Sequence, residues 1–370
     1  MSVIAAISLV VVSQSVVARA GAQSPADRAI SIAEMRTVDQ TYSNVELVSF
    51  SLHAGASLRV GRDPVTLPAK DVIRISFAKE RHTKAGEIKD FRWTLAGGDR
   101  LIGPAISADP GAVVIQDTHV GLISVPLEAL ARIDVPQPGG AAFRESMTWF
   151  DRAPIQGDDL VLLTNGDLLR GFLAEVATDG LILETDAGPS IIPYRLVLSV
   201  RFANPESPES KSVQARLELA GGGQVTLSEF RMSDGAASGR TLFGPPVTLE
   251  AASIAALEVL GGRWEWLSEL NPISTVHVPM LGLAWEHAAN ASVLGAPLRV
   301  AGQSFGRGLG VHSRSTVAYA LKGEYREFVT LFGLDESAGA LADVDVVVMV
   351  DGQAKFSRGA VRAGELFGPI

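Results

Sequence analysis

Leu162-Leu163-Thr164-Asn165-Gly166-Asp167-Leu168-Leu169-Arg170-Gly171 sets two short apolar runs on either side of an Asn-Gly pair. That pair supplies the positive φ angles of a tight β-turn, so the stretch is predicted to be a hairpin. Earlier in the chain Trp93-Thr94-Leu95-Ala96-Gly97-Gly98-Asp99-Arg100-Leu101-Ile102-Gly103 has the same texture. Both stretches return through an apolar run ending in proline, Ile123-Ser124-Val125-Pro126 and Ile191-Ile192-Pro193. Both then close on a short apolar segment, Leu130-Ala131-Arg132-Ile133 and Leu198-Ser199-Val200-Arg201-Phe202. Asp99 aligns with Asp167 and Pro126 with Pro193 at nearly constant offset, which is the mark of an internal repeat. A looser copy runs from Leu217 to Leu260 and a degenerate one from Val45 to Phe77. Each unit is too small for a large core of its own, so neighbouring copies are expected to pack together. Asp99 and Asp167 read as carboxylates that fix their turns.

Outward from these hairpins the same β-rich texture continues, with turn signals roughly every 8 to 12 residues from Val45 onward. Pro136-Gln137-Pro138-Gly139-Gly140 and Asn204-Pro205-Glu206-Ser207-Pro208 punctuate the copies. The fold class is therefore all-β, with repeat regions over 45–135 and 158–260, a separate C-terminal module over 262–370, and one short helix with linker over 23–40. For that helix Ser24 is the cap, Pro25 the first helical residue, and Asp27 closes the capping box. Residues 1–22 read as a signal peptide. Val3 to Val17 is mostly apolar, is broken by Ser13-Gln14-Ser15, and leads to the small-x-small sites Ala18-Arg19-Ala20 and Ala20-Gly21-Ala22. The run is too short for a membrane span, so the expectation is export to the periplasm, cell surface or medium with no membrane insertion of the mature chain.

The 370 residues carry 41 acidic against 32 basic side chains, a net charge of −9. A nucleic-acid binder needs a basic face to neutralise phosphates, so that class is set aside; a neutral ligand such as a sugar suits the charge. The chain has no cysteine, which excludes disulfides, thiolate nucleophiles and cysteine zinc sites. A cysteine-free exported protein points to a bacterial envelope. The six histidines are scattered and no pair has the i, i+4 spacing of a helical metal site.

Gly306-Arg307-Gly308-Leu309-Gly310-Val311-His312-Ser313-Arg314-Ser315 is the most distinctive stretch of the C-terminal part. Its alternate glycines lack the full dinucleotide-binding spacing, and the next run, Thr316 to Leu321, reads as a strand. A nucleotide loop is therefore rejected. The segment is similar to the "KGLGxHA" element of the NPCBM carbohydrate-binding module family. Trp266-Leu267-Ser268-Glu269-Leu270 resembles that family's "YLSDL" opening. Tyr325-Arg326-Glu327-Phe328 with Phe332-Gly333-Leu334-Asp335-Glu336 resembles "Y..F…VGxDD", and Val344 to Gly352 resembles "VxFxVxxDGK". Four elements in order over about a hundred residues are far more specific than any one of them. The resemblance implies a galactose-binding-like jelly-roll β-sandwich and sugar binding. The chain stops at Gly368-Pro369-Ile370, before the strands expected to close that sandwich.

A sugar site needs an aromatic face for the apolar side of the ring and planar polar groups for its hydroxyls. Trp285 with its neighbours Glu286 and His287 offers both; the alternative is a core tryptophan set by Leu281 and Leu283 at period 2. His312 and Arg314 follow a glycine-rich turn that lets backbone approach a ligand, or else His312 is a buried histidine bonded to backbone. Asp335 is a further candidate sugar contact. With Glu336 it forms either a calcium loop or a solvated one, few of the required oxygens being visible. The reading is an exported, non-catalytic protein that binds polysaccharide or glycan, with no certain cofactor. The alternatives are a fragment of a glycoside hydrolase carrying this module, and a structural envelope protein acting through protein–protein contacts. For the former, the repeat region shows no carboxylate pair of the kind glycoside hydrolysis needs.

Overall fold

A short 3₁₀ turn precedes the closing strand of every repeat, and three of the four turns are led by proline. Pro68, Pro126 and Pro193 sit at φ near −60° with extended ψ, and Glu250 takes nearly the same angles in the fourth. Proline is locked in this geometry, so the residue that marks the repeat in the sequence also aims its last strand. The computed structural model describes residues 2–10, 29–77, 90–109, 111–137, 147, 149–150, 155, 157–206, 212–243, 246–279, 282, 285–296, 298–339 and 341–370. They fall into two units, Gly21–Gly262 and Met1–Ala20 with Arg263–Ile370.

Within Gly21–Gly262 the same five-strand pattern occurs four times. The first copy is Ile30–Thr37, Thr41–Ser51, Gly55–Val60, Asp63–Leu67 and Val72–Phe77. The second is Arg92–Leu95, Arg100–Ile102 continued by Ala105–Asp109, then Ala112–Asp117, Gly121–Pro126 and Leu130–Asp134. The third is Asp159–Leu163, Leu168–Val176, Gly180–Thr185, Gly188–Pro193 and Val197–Arg201. The fourth is Gln214–Leu219, Gln224–Ser233, Ala236–Thr241, Pro246–Glu250 and Ile254–Leu260. In each, the opening strand pairs antiparallel with both the second strand and the last, so the sheet curls back on itself.

The copies join in two pairs through their last strands. Leu257 lies opposite Ile75 between the fourth and first, and Ile133 opposite Val200 between the second and third. Aromatic rings cross the same two junctions: Phe50 meets Phe230 at 6.1 Å, and Phe91 meets Tyr194 edge-on at 4.8 Å. One continuous apolar core runs through all four copies, so the expected packing of units too small to stand alone is what forms.

The helix expected over 23–40 is corrected. Its proposed start at Ser24 to Asp27 lies outside the described residues, and Ile30–Thr37 is a strand, so the first copy begins before Val45. Ile32, Met35 and Thr37 are the buried positions, and the three-residue step from Ile32 to Met35 breaks the strand's period of two. A bulge produces it: pairing with the closing strand jumps from Ile32–Phe77 to Glu34–Ser76, skipping Ala33 and shifting the inward phase by one.

In the other unit, Val329–Leu334 turns Phe332 and Leu334 onto Val361 and Phe356 of the Asp343–Val350/Gln353–Arg362 hairpin, forming a β-sandwich core. Smaller clusters centre on Leu298 with Val300 and on Leu267 with Leu309. The backbone of Ser2–Val10, from the segment read as a signal peptide, is a strand between Leu309–His312 and Val329–Leu334 and also pairs with Trp264–Trp266. Both candidate cleavage sites lie outside the described residues. Among the described residues no helix is long and apolar enough to cross a membrane.

Candidate functional site

Ser274–His277 and Ser315–Ala318 form an antiparallel ribbon with His277 opposite Ser315. Ser315 follows His312 across the Ser313–Arg314 turn, so the ribbon brings the two histidines together at one end. Their rings lie 5.0 Å apart. Trp285 joins them from the next connection. Its indole stacks on the His312 imidazole, centroids 5.9 Å apart and planes within 7°. Its backbone N–H donates to His277 Nδ1 at 2.8 Å, which makes Nδ1 an acceptor and places that ring's proton on Nε2. Thr275 Oγ1 and His287 Nδ1 lie 3.4 Å apart on the same side of this connection.

His312 is half-buried. Burial lowers its pKa below the ordinary 6.5, with smaller lowering contributions from the chain's N-terminal amine and, least, His277, and an opposing one from the Ser313 carbonyl. The cluster thus presents aromatic faces together with hydrogen-bonding ring nitrogens. Trp285 is half-buried, so it is not the fully enclosed core residue that period-2 spacing allows.

The other candidate residues separate. Glu286 is exposed beside Trp285. Arg314 is exposed in the turn with φ at +59°, and its carbonyl accepts from Val278 N–H at 3.0 Å. Asp335 is buried, 4% exposed, and its carboxylate accepts from the N–H groups of Arg299 and Ser337 and from the Ser337 hydroxyl. These bonds tie its loop to the strand Leu298–Val300. Glu336 accepts from Gly302 N–H at 2.8 Å and pairs with Arg299 at 3.3 Å. Among the described residues no three His, Asp or Glu side chains gather as a metal site.

The glycine-rich stretch also acts differently from the expectation. A Cβ on Gly310 would stand 2.2 Å from the Ala291 carbonyl oxygen, and Gly308 and Asn290 exchange hydrogen bonds of 2.7 and 3.1 Å. The close approach is to the chain's own backbone at 290–292, and it seats that connection beside Trp285. Sequence reasoning missed His277 and Thr275, whose only signal was a β-type run of unknown partner.

Residues 263–369 match the family described as NPCBM/NEW2 domain. The match begins at the boundary of the second unit and takes in the whole Trp285–His277–His312 cluster. The NPCBM module is a galactose-binding-like β-sandwich and points to carbohydrate binding. No curated protein and no solved structure matches the chain.

Proposed function

We propose that the chain is a non-catalytic glycan-binding protein whose NPCBM module holds a sugar residue against Trp285, with His277, His312 and Glu286 serving its hydroxyls. The observation that carries the reading is the half-buried Trp285 stacked on His312 within the module. Aromatic rings favour the apolar face of a sugar, and neutral imidazoles can both donate and accept. Titration of the full chain with a panel of neutral oligosaccharides tests it. Saturable binding that falls at least tenfold in Trp285→Ala, a loss of about 1.4 kcal/mol, is expected. Absence of binding to every member of the panel by the folded chain overturns it.

Export to the bacterial envelope belongs to the same proposal, supported by the apolar run from Val3 to Val17 and the small-residue sites after it. The intact mass of the mature protein from its own host tests this. Loss of about the first 22 residues is the expected outcome, and a retained N-terminus overturns it. Such processing would also withdraw the Ser2–Val10 strand from the sheet.

A further inference from the structure

The ribbon that carries His277 and His312 has a second end. There Ser274 lies opposite Ala318, about three strand steps or ~10 Å from His277. Asn271 and Tyr319 continue from that end into a cavity of about 260 Å³ that also takes in Glu265, Lys322, Glu324 and Tyr325. This is below the usual range for drug-sized ligands and suits one sugar residue. Its lining sets these polar groups beside the apolar side chains of Leu270 and Leu321. The Tyr325 hydroxyl donates to the Glu265 carboxylate and so orients it. A carboxylate held by one donor keeps further lone pairs for a ligand's hydroxyls.

The turn at the cavity's edge is built against local preference. Lys322 has φ at +52° and Gly323 at +70°, two left-handed residues in succession, and Glu324 N–H closes the turn on the Leu321 carbonyl at 3.0 Å. Asn, Asp or Gly is the favoured residue at the first of these positions, yet a lysine occupies it.

We propose that this cavity is a second saccharide subsite. It takes one neutral sugar residue through Glu265, Asn271 and Lys322, so that an oligosaccharide engages the module at both ends of the ribbon. The proposal rests on the glycan-binding reading for the class of ligand and on separate residues for the site. Calorimetric titration of the full chain with monosaccharides and with neutral di- to tetrasaccharides tests it, using Glu265→Gln, Lys322→Asn and Trp285→Ala. Lys322→Asn restores the residue the turn prefers and should fold at least as well as the parent. The expected result is oligosaccharide affinity reduced about tenfold in Glu265→Gln and Lys322→Asn, with monosaccharide binding at Trp285 unchanged. Oligosaccharide affinity unchanged in both variants overturns the subsite and leaves the Trp285 reading standing. Binding lost in Glu265→Gln but intact in Trp285→Ala supports the subsite and overturns the Trp285 reading. Absence of any saccharide binding by the parent chain overturns both.

Discussion

His312 shows how one side chain links the site to pH. Its folded pKa lies below 6.5 because burial disfavours the charged ring, so the folded state holds fewer protons there than the unfolded state. Stability from this group is therefore fully present above pH 6.5 and is lost as pH falls through the lowered folded value. His312→Gln removes the titration while keeping a polar planar group. The wild type should lose stability relative to this variant as pH drops from 7.5 to 5, measured by chemical denaturation at each pH. A constant difference across that range would remove His312 as a titrating element of the site. Sequence alone could nominate Trp285 and His312, because an aromatic beside polar groups and a histidine after glycines are local patterns. It could not nominate His277, whose part comes from pairing with a strand some forty residues away. Nor could it show that Asp335 is buried, since besides the local Ser337 its carboxylate is met by the N–H of Arg299, in the strand Leu298–Val300 more than thirty residues earlier.

At the scale of the element, glycine spacing has a packing cause that can be tested. Gly310 takes no left-handed angle, so an alanine there meets only steric resistance, from the Ala291 carbonyl at 2.2 Å and Ser292 Cα at 2.8 Å. Both are backbone atoms and cannot swing aside. Gly310→Ala should destabilise the module by about 1–3 kcal/mol, the range for overpacking, and displace the connection that carries Trp285. A denaturation midpoint equal to that of the parent would show that 290–292 yields without cost. Elements also mark where the sequence was legible. The hairpins at 92–102 and 159–171 were legible because turn residues and alternation agreed. Ile30–Thr37 was not, since the bulge at Ala33 puts a three-residue step between the inward Ile32 and Met35 and breaks the period of two. Nor could any local pattern reveal that Ser2–Val10 pairs with strands near the other end of the chain.

At the scale of the repeat assembly, equivalent positions take different work. Asp167 behaves as its turn context predicts, exchanging hydrogen bonds with Asn165 at the surface. Asp99, its counterpart in the second copy, is 4% exposed and reaches into the fourth copy instead. There it accepts from the Thr226 N–H at 2.9 Å and the Thr226 hydroxyl at 2.7 Å, beside a bond from Gln224 to the Gly98 carbonyl. His119 adds a contact to the Ala220 carbonyl across the same two copies. Asp99 is thus a clamp between repeats, which corrects its reading as a turn residue. Burial raises its pKa from 3.8, against the lowering effects of Thr226 and the nearby arginines. The folded state accordingly binds more protons at this site than the unfolded state, and stability falls as pH rises from 3.8 through the folded value. Two comparisons separate clamp from charge. Asp99→Ala leaves both Thr226 donors unpaired and should cost roughly 1–3 kcal/mol for each group so stranded near pH 3.5, the difference from wild type narrowing as pH rises. Asp99→Asn keeps one acceptor and no ionisable proton, so the stability of the wild type relative to it should decline as pH rises above 3.8. Denaturation of all three proteins from pH 3.5 to 7.5 measures both. A wild-type curve parallel to that of Asp99→Asn would mean that the contact between the second and fourth copies is indifferent to the charge on Asp99.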